Sequence, residues 1–315
     1  MPTSSFRDPR SGAPRELGEG IVLMYHRITE AGPDPFGICV HPDRFLEHLE
    51  SLQDHADIVP LSSIRERSSD VRVAITFDDG YADNATTART VLESVAADAT
   101  FFIVTGALGT RREFWWDRLE QLVANLPQEI AGLDVSVSER VTVRLQSGSS
   151  SDRKRTLQTL HAALMPQSRA EIEVFLDLLA AEAGVSLADR ATHRPMDLEE
   201  LIDLSLSPIA EIGAHSISHP ALASLHPDEQ RKEIAGSRHH LEHQLNTPIR
   251  AFAYPFGEHG GATPELVKDS GLELACTVEP GKVVPETDPF LIPRYEVHDW
   301  SRQEFTEWLR YWLGR

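Results

Sequence analysis

VRVAITFDDGYADN, residues 71–84, climbs through an apolar run to two adjacent acids, Asp78 and Asp79, and stops at Gly80. The apolar part, 71–77, reads as a buried strand. A carboxylate at the end of such a strand costs free energy unless something pairs with it. Two side by side raise the question of what they hold.

The same pattern recurs on both sides. GIVLMYH (20–26), ATFFIVT (99–105), IAEIGAH (209–215), IRAFAYPFG (249–257), LELACTV (272–278) and FLIPRYEV (290–297) read as further strands. Helical patterns lie between them. Residues 41–55 carry Phe45, Leu46, Leu49 and Leu52 at helical spacing, 84–98 start at Asn84 as N-cap, and 301–313 form the last helix. Strand then helix, repeated, implies parallel strands with helical crossovers. In such α/β folds the C-terminal rim of the strands carries the chemistry. The alternation breaks from 106 to about 195, which holds EFWWDRLEQLVANL, a hairpin-like DVSVSERVTVRLQ, the Ser-rich SGSSSD and two helical runs up to Ala183. This stretch is expected to be a mainly helical insertion. Residues 1–19, rich in Pro, Gly, Ser and Arg, read as a flexible tail, leaving 20–315 as a single barrel unit.

Of the 315 residues 41% are hydrophobic and 25% charged, ordinary for a globular protein. The net charge of -19 opposes nucleic acid, anionic polysaccharide and anionic membrane surfaces as main partners. Cys39 and Cys276 have no partner spacing and are expected to be buried free thiols. The first twenty residues contain no apolar core of a signal peptide, and no apolar run is long enough to span a membrane; a cytoplasmic address is the expectation.

The second polar cluster is EIGAHSISHP (211–220). His215 and His219 follow a strand, four residues apart, and can face the same way on a helical turn or a tight loop. Two His and one carboxylate make an open divalent-metal site. One acid of the pair would complete it and the other, unligated, could act as base. Taken singly, Asp-Asp-Gly is more often a turn or cap, and His-x3-His is more often structural. Both at strand ends favour the metal reading.

TFDDGY (76–81) followed by HSISH (215–219) resembles the two signature motifs of the polysaccharide deacetylase family, the NodB-homology or carbohydrate esterase family 4 enzymes. The resemblance implies a distorted (β/α)7 barrel, metal ligands Asp79, His215 and His219, Asp78 as general base, and removal of acetyl from an N-acetylated sugar. Zn2+ is the default metal, and Co2+, Ni2+ or Fe2+ suit similar ligands. YPFG (254–257) matches the third motif, so that Tyr254, Pro255 and Phe256 would meet the substrate, with the Tyr254 N–H as oxyanion donor.

Two positions depart from the family pattern. The third motif usually carries an Arg that orients the base; Ala253 stands there, and Arg250 is three residues earlier. Arg294 in LIPRYEV is the candidate substitute, the other reading being a surface salt bridge. The leaving amine needs a proton, usually from His. The family's last motif, an apolar strand ending in Leu-x-His, is not clean at the C-terminus, where His298 in YEVHDW is a candidate. GIVLMYHRI, ending its strand at His26, fits better. This resembles the biofilm-polysaccharide deacetylases, whose motif order is permuted, and His26 is the preferred acid.

Other clusters take plainer readings. FWWD (114–117) is expected to pin the insertion to the barrel rather than line a sugar wall. His239, His240 and His243 read as a solvated helix face. The loop 31–45 lies on the rim and can shape the cleft. Asp83 and Asn84 read as helix caps. A hydrolase of another amide, or a carbohydrate-binding protein without turnover, are the rival functions. Neither the sugar nor the oligomeric state is legible.

Overall fold

The structure, a computed structural model, describes residues 19–30, 32–128 and 130–314; the tail reading for residues 1–18 lies outside them. In chain order the elements are β1 (Gly20–Tyr25), β2 (Arg27–Ile28), β3 (Cys39–Val40), α1 (Pro42–Gln53), β4 (Asp57–Ile58), β5 (Arg72–Phe77), α2 (Arg89–Ser94), β6 (Ala99–Ile103), α3 (Trp115–Ala124), β7 (Ala131–Ser138), β8 (Val141–Gln146), α4 (Ser150–Leu164) and α5 (Arg169–Ala183). Then follow α6 (Leu198–Ser205), β9 (Ala210–Ala214), α7 (Pro227–Leu245), β10 (Ala251–Ala253), α8 (Thr263–Asp269), β11 (Leu274–Cys276), β12 (Tyr295–Glu296) and α9 (Arg302–Leu313).

The main sheet is parallel, in the order β11-β10-β9-β6-β5-β1-β12. β4 pairs with Arg72 and Val73 of β5, below the stretch that β6 takes from Ile75 onward. The sheet curls until its last segment meets both edges: Ile292 bridges Cys276 of β11, and Tyr295 and Glu296 pair with Leu23 and Met24 of β1. The result is a distorted (β/α)7 barrel whose first and last strands are neighbours.

Period-two alternation decides what each strand faces. Ile21, Leu23 and Tyr25 of β1, Val73, Ile75 and Phe77 of β5, and Phe101 and Ile103 of β6 join the outer core under the helices, with Phe45, Leu49 and Leu52 of α1 and Phe305 and Leu309 of α9. Val22, Ala74, Phe102, Ala251, Ala253, Cys276 and Ile292 have the opposite parity and fill the interior. Phe77 stacks on Phe101 at 5.0 Å and on Tyr25 at 5.5 Å, tying three adjacent strands together. Each such pair contributes about 0.5–1.5 kcal/mol beyond area burial.

The interior is tight at β9. A Cβ on Gly213 would sit 2.4 Å from the Phe102 ring. Gly213→Ala is therefore expected to destabilise the fold by about 1–3 kcal/mol through overpacking. In urea the transition midpoint should fall at unchanged slope; an unmoved midpoint would show that Phe102 can yield.

The stretch 106–195 contains α3, the antiparallel β7–β8 hairpin, α4 and α5 around a core of its own, including Leu119, Leu122, Leu145, Leu157, Leu160, Leu164 and Leu176. Ser149 with Asp152 and Ser168 with Glu171 form capping boxes that start α4 and α5, and Gly184 ends α5 at φ 66°. Tyr81 and Val104 of the barrel belong to the same core, and Phe36, Ile38 and Phe256 pack against it.

Two local expectations are corrected. Asn84 is not an N-cap: the backbone is already helical at Asp83, a π-helical stretch spans Asn84–Ala88, and the buried Asn84 amide donates to the His26 carbonyl and to Asp83. Asp83 accepts from the Ile28 N–H and from Arg27, so both side chains tie β1 and β2 to this helix. Cys39 is partly exposed, whereas Cys276 is buried. No helix among the described residues is long and apolar enough to cross a membrane.

Candidate metal centre and active site

The interior parity continues past the strand ends and supplies the polar groups. Val22 and Met24 lead to His26, Ala74 and Thr76 to Asp78, Gly213 to His215, Ile292 to Arg294 and Glu296, and Cys276 to Val278. His26, Asp78, His215, Val278 and Glu296 line one cavity of about 200 Å³, with Met24, Phe36, Ile38, Asp79, Trp116, His161, His219 and Phe256.

Asp78 and Asp79 are 3% and 4% exposed. The Asp78 N–H donates to the Tyr25 carbonyl, extending the β1–β5 ladder, and its carboxylate meets Arg294. Arg294, 0% exposed, gives Nη1 to Oδ1 at 2.7 Å and Nη2 to Oδ2 at 2.8 Å. Its Nε–H donates to the Thr277 carbonyl and Nη1 also reaches Thr76 Oγ1. A planar fork on both carboxylate oxygens is the strong form of this pair. Burial by itself would raise Asp78; the Arg294 charge, His215 and the two hydrogen bonds outweigh it and hold the carboxyl far below the usual range. Arg250 pairs with Glu273 on the surface instead.

Asp79 has φ 74°, a left-handed conformation that ends the strand and turns its carboxylate away from Asp78's parity. His215 and His219 sit on a tight loop, not a helical turn, with Ser216 and His219 both at positive φ. Glu233 of α7 fixes that loop by accepting from the Ile217 and Ser218 N–H groups and the Ser218 hydroxyl. The His215 Nδ1 bonds the Ala253 carbonyl at 2.8 Å, so Nδ1 carries the proton and Nε2 presents its lone pair. The His219 ring has no partner for Nδ1 among the described residues and is held by packing, 4.8 Å from Trp116 and 4.4 Å from Phe256.

Asp79, His215 and His219 converge. His215 Nε2 lies 3.1 Å from His219 Nε2 and 3.6 Å from Asp79 Oδ1, and His219 Nε2 lies 3.3 Å from that oxygen. Ligands at the usual zinc distances in a tetrahedral shell are roughly 3.4 Å apart. The donor set therefore fits a divalent cation in size and type. Its electrostatics fit as well. Burial, then the neighbouring Asp78, push Asp79 well above the carboxylate range, while burial lowers His215 to about 4 and, with His215 beside it, holds His219 far below the usual range. Three buried lone-pair donors facing one another are costly as they stand, and a cation relieves all three.

A family model for polysaccharide deacetylases matches residues 65–131 and 188–275, which contain both Asp78-Asp79 and His215-x3-His219. The chain belongs to the polysaccharide deacetylase family. The Bacillus subtilis protein YxkH is 19% identical to this family member over 283 residues, 88% of this chain and 70% of that one. Among solved structures, the Streptococcus pyogenes deacetylase PplD in complex with acetate superposes with a TM-score of 0.59 at 17% identity, covering 93% of this chain and 98% of that one. IcaB from Ammonifex degensii gives 0.59 at 16%, covering 93% and 97%. The BpsB deacetylase domain from Bordetella bronchiseptica gives 0.56 at 17%, covering 90% and 98%.

Of the two acid candidates, His26 lines the cavity and His298 does not. His298 Nδ1 bonds the Gly37 carbonyl and its ring lies 5.5 Å from Trp300. Burial lowers His26 while Asp78 and Glu296 pull it upward. The Tyr254 assignment is corrected: its N–H donates to the Cys276 carbonyl in the β10–β11 ladder, and its hydroxyl donates to the Phe290 carbonyl. The Phe256 N–H donates to no acceptor among the described residues, and Phe256 stands at φ 57° beside His219. Pro255 before it fixes that turn. FWWD divides: Phe114 and Trp115 are buried packing, while Trp116 packs and also faces the cavity. His239, His240 and His243 are exposed on α7, as expected. Residues 31–45 contribute Phe36 and Ile38 to the rim. The sequence reading missed Glu296, which the parity of Arg294 would have found, and His161, which nothing in its own stretch marks.

Proposed function

We propose that this protein is a metal-dependent hydrolase that removes acetyl groups from N-acetylated sugars, as polymer, oligomer or glycan precursor. The observation that carries the reading is the Asp79–His215–His219 convergence beside an Arg294-clamped Asp78 in one cavity. Asp79, His215 and His219 would hold the cation, Zn2+ first and Co2+, Ni2+ or Fe2+ as alternatives. Bound there, it would supply Lewis-acid polarisation of the acyl carbonyl and acidify water at neutral pH.

The chain's own residues divide the remaining work. Asp78, kept ionised and oriented by Arg294, takes the proton of the attacking water. The Phe256 N–H, without an acceptor of its own among the described residues, would stabilise the carbonyl oxygen as it gains charge. His26 gives a proton to the amine nitrogen as the C–N bond breaks.

The test is acetate release from a panel of N-acetylhexosamine oligomers and nucleotide sugars by the zinc-loaded protein, before and after chelation. Release that stops on chelation and returns with zinc is the expected result. No release from any member, with zinc bound, would move the activity to a different N-acyl substrate.

A further inference from the structure

The insertion places one polar ring in the cavity that the reaction outlined above does not use. His161, on α4, is half-buried and lines the cavity. It is stacked on the buried Trp115 at 4.9 Å and 24° between planes, with Phe36 at 5.1 Å and Phe256 at 6.1 Å. Neither ring nitrogen has a hydrogen-bond partner among the described residues. No charged group acts on it; burial alone lowers it to about 4, so the ring is neutral, one nitrogen donating and the other accepting.

An apolar ring would pack on Trp115, Phe36 and Phe256 equally well, whereas the imidazole nitrogens are not sealed off and stay open to bond a ligand in the cavity. Phe256 neighbours both His161 and the metal centre, its ring 6.1 Å from that of His161 and 4.4 Å from that of His219. His161 and the three candidate ligands line the same cavity, so one substrate molecule can meet both.

We infer that His161 determines substrate specificity: with Phe36 and Phe256 it forms a slot for a pyranose ring of the N-acetylated substrate and hydrogen-bonds one ring hydroxyl. This rests on the deacetylase reading. The aromatic faces cover the apolar face of the sugar, and the imidazole reads a hydroxyl at its edge. By this means the insertion, rather than the barrel, selects which sugar is accepted.

The experiment compares zinc-loaded wild type, His161→Phe and His161→Gln on N-acetylhexosamine oligomers, with zinc content measured for each. The Phe variant keeps the stacked ring and removes the hydrogen bond. Its KM is expected to rise about tenfold with kcat within about twofold, the loss of one ligand hydrogen bond. The Gln variant, which keeps a donor and an acceptor, is expected to return to within about threefold of wild type. A Phe variant with wild-type KM on every substrate overturns the inference while acetate release by the wild type leaves the deacetylase reading standing. A Phe variant that loses zinc or its fold assigns the ring to packing and overturns it too. A wild type that neither binds nor deacetylates any oligomer removes the deacetylase reading and this inference with it.

Discussion

Asp78→Asn is expected to lower the rate of acetate release by roughly 10²–10⁴-fold, the range over which a positioned base contributes, with zinc content unchanged. The geometry separates the two acids. Asp79 Oδ1 is 3.3 Å and 3.6 Å from the two imidazole nitrogens, while Asp78 Oδ2 is 4.0 Å from His215 Nε2 and has both oxygens on Arg294. An amide keeps the volume and one acceptor but cannot take a proton at neutral pH. Asp79→Asn serves as the control, because weakening a ligand lowers zinc affinity as well as rate. A variant of Asp78 that keeps more than about a tenth of the wild-type rate would transfer the base to another group. Loss of zinc from Asp78→Asn would instead place that carboxylate among the ligands.

The adjacency of these acids was legible because a period-two strand continues its parity past its end. The same parity carried His26 and His215 to the inner rim from their own stretches. What the sequence withheld was pairing across distance. Arg294 and Asp78 are 216 residues apart, and they meet because β12 and β5 flank the same strand, β1. Which edge closes the barrel is set by the whole sheet, so the substitution for the arginine missing at Ala253 could be named as a candidate but not located. The Tyr254 N–H went wrong for a related reason. Whether an amide is free or in a ladder depends on the register of the neighbouring strand, and β11 places the Cys276 carbonyl against it. Asn84 looked like a cap because its residue type favours caps, but the helix there begins earlier and the amide faces the β1–β2 connection. His161 lies outside the matched family residues, as do His26 and Arg294; the assembled cavity brings His161 and His26 together, and Arg294 reaches it only through Asp78.

Arg294→Met is expected to cost both stability and activity, and the two losses have different causes. The guanidinium is fully buried and satisfies both oxygens of Asp78, the Thr277 carbonyl and Thr76 Oγ1. Met fills much of the volume but leaves a buried carboxylate uncompensated, which costs about 3–5 kcal/mol and should lower Tm by about 5–8 °C in a chain of this length. The rate should fall by roughly 10²-fold or more, since the base loses its orientation and its ionised form loses its counter-charge. Arg294→Lys should recover only part of either, because a single ammonium cannot serve two oxygens in one plane. The double variant Asp78→Asn with Arg294→Met separates the causes. With no charge left to bury, its Tm should lie above that of Arg294→Met alone, while acetate release stays at the level of Asp78→Asn. Additive losses in Tm would mean that the two side chains do not act as a pair. An Arg294→Met protein with wild-type rate and Tm would reduce this contact to the kind of ion pair that contributes nothing measurable, leaving the base oriented by the Asp78 N–H bond to the Tyr25 carbonyl alone.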